Sequence, residues 1–196
     1  MPRAFRNWPL LLLGIATVGS SPAAPDTPPL TPSEASTLVR GSQVFRRPKT
    51  VEILAGGRMP TNITRVHYLV LRNLALIQFT IEGAVAEVHL TAAGRLAAQS
   101  WKRSYTGSYG SSDLWHLSIA ERALLEVLSI HHVRDDGAVC DFAWKWVPDK
   151  IGRALQLSEA VHKATAHFTR GARGWRPLEE GPEGLRVCLE ESKWSQ

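Results

Sequence analysis

Between Asn62 and Ile77 the apolar residues Val66, Leu69, Val70, Leu74 and Ile77 recur at three- and four-residue intervals. That spacing belongs to one face of a helix and predicts an amphipathic helix over 62–76. Upstream, Thr31-Pro32-Ser33-Glu34 places a capping hydroxyl, a proline at the first helical position and a glutamate three residues on, and Arg40-Gly41 closes the run. A short helix is expected over 32–40. Thr50 to Leu54 is a short β-rich run stopped by Gly56-Gly57. Ala86, Val88 and Leu90 alternate with Glu87, His89 and Thr91, the period of a strand. Thr91 then stands where it can cap a helix from Ala92 to Trp101, in which Gly94 reads as a tolerated weak point.

In the second half the pattern changes. Ser104 to Asp113, with Gly107 and Gly110, reads as a loop and as the boundary between two subdomains, 32–103 and 114–196. Residues 114–133 send two signals. Ser118-Ile119-Ala120-Glu121 resembles a capping box ahead of a run of helix formers to Leu128, whereas Ile130 to Val133 favours β structure. Asp135-Asp136-Gly137 is a hairpin-type turn. Val139 to Val147 is the clearest strand, with Cys140, Phe142, Trp144 and Trp146 on one face. Val161 to Thr169 alternates around Ala164, Ala166 and Phe168, Gly171 to Gly174 turns, and Leu185 to Leu189 reads as a last strand. The fold class is α+β: a small helical, wing-like N-terminal half followed by a mostly antiparallel sheet.

The start of the chain adds an address. Arg3 and Arg6, the apolar run 8–18 and the small residues 19–24 follow the order of a secretory signal peptide, with cleavage after Ala23. Eleven apolar residues are too few to span a bilayer, which takes about 20, and no later segment is long enough. Residues 24–31 read as a proline-rich linker. Taking residues 1–23 from a chain of 196 leaves 173, and the net charge falls from +5 to +3 because two arginines go with them. So small a surplus, spread along the chain, gives no reason to expect nucleic acid. The expected location is the periplasm or the exterior. In that oxidising setting Cys140 and Cys188 are a disulfide candidate. Against it, Cys188 falls on the polar side of the last strand, with Arg186 and Glu190, so two unlinked thiols remain open.

Two resemblances are local. Val88-His89-Leu90-Thr91-Ala92-Ala93-Gly94-Arg95, behind an amphipathic helix, resembles the wing-strand segment of winged-helix proteins across about forty residues (62–101). It implies DNA binding through a major-groove helix, for which this chain would supply Arg65 and Arg72. Val139 to Pro148, Ile151-Gly152, Ala164-Thr165-Ala166-His167-Phe168 and Gly174-Trp175-Arg176 resemble a pattern of uncharacterised exported bacterial proteins, with a Trp-x-Pro strand corner and a Gly-Trp-Arg turn. That resemblance implies a strand over 122–132 and carries no known activity, so no functional residues transfer.

Candidate chemistry is sparse. His131 and His132 are adjacent, so a strand sends them to opposite faces. A zinc or copper site would need one of them together with His116, His167 or Asp141, and His162 and His167 also split between faces. No nucleophile motif is present, and Ser108, Ser111 and Ser112 sit in the expected loop. Gly56-Gly57-Arg58 lacks the lysine of a phosphate loop. Asp135-Asp136 and Glu179-Glu180 read as solvated turn residues, and Asn62-Ile63-Thr64 fits a glycosylation sequon that a signal peptide of bacterial type would make irrelevant. The row Phe142, Trp144 and Trp146 is either core or the wall of a sugar or peptide groove. The expected function is therefore non-catalytic, without catalytic residues, cofactor or metal: binding a partner protein or envelope component. A histidine-based metal-dependent periplasmic enzyme and a winged-helix DNA-binding module are the alternatives.

Overall fold

The computed structural model describes residues 28–60, 65–106 and 112–191; the expected signal peptide, the first half of the linker, the sequon and the serines Ser108 and Ser111 lie outside them. The architecture is α+β. Helix α1 (Pro32–Gly41) starts as its sequence demands, with the Thr31 hydroxyl accepting from the Glu34 N–H at 3.2 Å and Pro32 in the first turn. Ser42 ends α1 and caps α2 (Gln43–Arg46) through the Phe45 N–H.

A large antiparallel sheet has the order β1 (Lys49–Ala55), β6 (Ser112–Arg134), β7 (Gly137–Pro148), β8 (Val161–Gly171) and β9 (Gly174–Pro177), with β5 (Lys102–Thr106) also on β6. A small sheet, β2 (Arg58–Pro60), β4 (Val85–Leu90) and β3 (Ile77–Glu82), packs with α3 (Val66–Asn73), α4 (Ala92–Ala97) and a 3-10 turn, Ala98–Ser100. Helix α5 (Lys150–Ala154) follows β7, its first turn capped by the Asp149 carboxylate on the Gly152 N–H at 2.7 Å. Helix α6 (Leu185–Glu191) closes the described chain.

Strand β6 joins everything. Leu117 and Ile119 point into one core with Ile53, Tyr68, Leu71, Ile77 and Val88, under the small sheet. Ala120 and Leu124 point the other way, into a core built by α1, α2, α6 and the aromatic row of β7. Period-2 alternation along a single strand thus feeds two cores on opposite faces of one sheet.

Five sequence expectations change. The run 114–133 is strand throughout, so the capping-box reading is overturned. Strands β5 and β6 extend into the expected loop 104–113, reaching Thr106 and starting at Ser112. Leu185 to Leu189 is helical: with Leu185 and Leu189 both buried at i and i+4, a seven-residue stretch satisfies helical spacing as well as alternation, and packing on β8 and α2 selects the helix. Helix α3 ends at Asn73 and not near residue 76. Ala75 takes φ 56°, and the Leu76 and Ala75 N–H groups donate to the Leu71 and Arg72 carbonyls, closing the helix with a Schellman turn. The buried face of α3 carries Tyr68 and Leu71, while Val66 is 69 % exposed, so the apolar stripe was assigned one position off the true core side. Finally, the 92–101 helix is only Ala92–Ala97 plus a 3-10 turn, and its Gly94 is no weak point: any Cβ there would collide with the Leu76 carbonyl.

Candidate functional site

The aromatic row is core. Phe142 and Trp144 are fully buried and Trp146 nearly so. Phe45 meets Phe142 edge-on at 6.2 Å, Trp144 and Trp146 are edge-to-face at 5.3 Å, and the His162 ring stacks on Trp144 at 4.6 Å. The groove alternative is thereby removed. What sequence reasoning missed is Arg122, directly across β6 from Trp146. Its guanidinium lies 4.5 Å from the Trp146 ring centre and donates to the carbonyls of Val44, Phe45 and Arg47 at 2.9–3.3 Å. One cation thus satisfies the carbonyl end of α2 and seats on the aromatic row. The local pattern shows only an arginine between Ala120 and Leu124, and it does not name the partners on α2 and β7 that seat it.

Cys140 is buried in the same core and is not joined to Cys188, which sits half-buried on α6. Burial, with the Asp141 charge beside it, pushes the Cys140 thiol up to about 11, far from the thiolate form a reactive cysteine needs. The helical α6 also dissolves the face argument made for Cys188 on a strand.

The histidines are dispersed. His131 and His132 pair across from Val139 and Ala138. The His132 ring lies 6.0 Å from Trp175, His167 is 3.6 Å from Glu183 and His89 is 3.7 Å from Glu87. Among the described residues no three His, Cys, Asp or Glu side chains gather as metal ligands. Asp141 instead accepts from the Ser129 hydroxyl at 2.8 Å and the Thr165 hydroxyl at 2.7 Å, one from each neighbouring strand. Those two bonds, Thr165's first, hold its carboxyl below the usual aspartate range.

One polar row carries the connectivity of a nucleophile and its base. The Ser104 hydroxyl is 2.8 Å from His116 Nε2, and His116 Nδ1 is 3.2 Å from the Glu52 carboxylate. The three lie on adjacent strands β5, β6 and β1, with Glu52 directly opposite His116. Glu52 is 56 % exposed, and none of the three lines either cavity described here. The row is a cross-strand polar ladder on a solvated sheet face. Of the winged-helix arginines, Arg65 caps α3 without a side-chain bond, and Arg72 is exposed in its last turn.

The feature that stands apart is the edge of β6. Beyond Ala120 the strand is paired on one side only among the described residues, with β7. Its register on β7 slips three times, between Leu124 and Glu126, Val127 and Ser129, and His132 and Arg134. Each slip leaves one extra residue on β6 opposite nothing, which is a β-bulge. Those residues are Leu125, Leu128 and Val133, and they are 42, 43 and 63 % exposed. At the start of the same edge Arg40, Arg46 and Arg122 line a cavity of about 450 Å³ with Phe45, Leu124 and Glu121. The three cations outnumber the single carboxylate.

Compared with protein families, curated proteins and solved structures, the chain matches none. No described helix is long and apolar enough to cross a membrane.

Proposed function

We propose that the chain is a non-catalytic binding protein of the cell envelope whose β6 edge receives a segment of a partner protein. The observation that carries this reading is the coincidence of all three bulged positions with exposed aliphatic side chains. A bulge re-aims a side chain and blunts a strand edge against indiscriminate pairing. Single exposed aliphatic residues are ordinary, but three on the bulges of one strand edge fit a contact surface, since exposed apolar clusters mark such sites. The occupant best suited to this edge offers apolar side chains to Leu125 and Leu128 and a carboxylate to the arginine-lined cavity. Such charge complementarity sets orientation and encounter rate more than affinity.

The test places a photo-crosslinking residue at 125 or 128 in the native host, with position 169 on β8 as control. The protein trapped from the edge is then purified and rebound. Leu125→Ser with Leu128→Ser should weaken rebinding at least about tenfold, the loss expected on removing central apolar contacts, while the denaturation midpoint stays put. Arg40→Glu with Arg46→Glu should slow association. Equal crosslinking at 169, or rebinding indifferent to all four substitutions, overturns the reading. Intact Met1 on protein from the cytoplasmic fraction would refute the envelope address.

A further inference from the structure

A second cavity, of about 600 Å³, lies on the other face of the sheet, at the seam where β4 and α4 meet β1 and β6. That volume is within the range of small-molecule sites, which combine apolar walls with a few convergent polar groups. Ala55, Leu90 and the Trp115 ring supply apolar wall here, and Arg95, Gln99, Asp113 and His89, the last 3.7 Å from Glu87, supply the polar groups.

The balance of those groups defines a ligand. Asp113 is neutralised by Arg103 at 2.7 Å. Arg95 uses one nitrogen on the Leu90 carbonyl at 2.9 Å, and a guanidinium carries five donor hydrogens. Trp115 is braced edge-on by Trp101 at 6.2 Å, with the Arg103 guanidinium 5.6 Å from its ring centre. Its indole N–H is shielded from solvent and has no hydrogen-bond partner among the described residues. The cleft therefore offers the remaining Arg95 donors, a cation with no ion pair among the described residues, and a rigid aromatic wall.

We propose that this cleft binds a small organic anion: a carboxylate, held by Arg95, joined to a flat apolar body that lies against the Trp115 ring. The proposal is independent of the β6 edge, because no residue of the cleft lies on that part of β6.

The test is calorimetric titration of the full-length protein with phenylacetate as probe, beside acetate and the neutral isostere 2-phenylethanol. Phenylacetate should bind one equivalent, and both controls should bind at least about tenfold more weakly, since each lacks one half of the recognition and charged hydrogen bonds are the stronger kind. Arg95→Gln, at an exposed position, should weaken phenylacetate by at least about tenfold without moving the denaturation midpoint. Trp115→Leu removes the flat aromatic wall and should weaken phenylacetate, with the denaturation midpoint read alongside to separate lost binding from lost fold. Absence of saturable heat up to about 10 mM, the weakest affinity reasonable for a ligand of this size, overturns the proposal. So does binding that survives Arg95→Gln, or equal binding of phenylacetate and its neutral isostere.

Discussion

Gly94 rests against the Leu76 carbonyl so closely that no side chain fits between them. Thr91 completes the joint. Its hydroxyl donates to the Ala75 carbonyl at 2.6 Å and accepts from the Gly94 N–H at 2.9 Å, so the start of α4 is bolted to the turn that ends α3. Replacing a helical glycine by alanine ordinarily stabilises by about 1 kcal/mol. Here the sign reverses. Gly94→Ala must push backbone against backbone, and a loss of about 2–3 kcal/mol is expected, at the upper end for overpacking. Urea unfolding decides it. In the same joint Ala75 holds a left-handed conformation, so Ala75→Gly should be neutral or stabilising by up to about 1 kcal/mol.

Leu125 lies between Leu124 and Glu126, which face the consecutive β7 residues Trp144 and Ala143. Its side chain is exposed, so Leu125→Ser should change stability by about 0.5 kcal/mol or less. Deleting Leu125 should do far more. Removing the bulge slips the register of everything before it by one residue and turns Leu124 and Ala120 out of the core. A deletion variant that unfolds with the midpoint of the substitution variant would show that the bulge has no structural role.

Trp144 is fully buried among Trp146, the His162 ring and the Arg122 guanidinium. Trp144→Ala should cost about 3–5 kcal/mol, the range for emptying a buried aromatic site. Denaturant titration measures it, and an unchanged midpoint would contradict the core assignment.

Asp141 carries the pH dependence. Its carboxylate is stabilised by the Thr165 and Ser129 hydroxyls, so its folded pKa lies below the unfolded one. Such a group contributes stability that is complete above its unfolded pKa and disappears as pH falls through the folded value. Asp141→Asn should therefore unfold more easily than the parent at pH 7, and the gap should close as pH drops below the ordinary aspartate value of about 3.9. Urea midpoints at several pH values check the trend. A gap that widens in acid would reverse the assignment.

The elements legible in the sequence are those whose signals are local. The Thr31 cap with Pro32 defines α1, the Asp135-Asp136-Gly137 turn defines the β6–β7 hairpin, and strict alternation from Cys140 to Trp146 marks a strand with one buried aromatic face. Each depends on contacts within a few residues, so composition and spacing suffice. The α+β class follows from the same signals. Strand β6 was ambiguous for a physical reason. Its bulges after Leu124 and Val127 stretch the inward positions Leu124, Val127 and Ile130 to intervals of three, which is the spacing of a helix. Only pairing with β7 makes that stretch a strand, and pairing is a long-range contact that no window of β6 contains. The helical state of Leu185–Glu191, the close approach that requires Gly94, the seat of Arg122 on the aromatic row and the meeting of Ser104, His116 and Glu52 were likewise decided by tertiary structure. In each, the deciding partner is distant in the chain, and its identity leaves no trace in the local pattern.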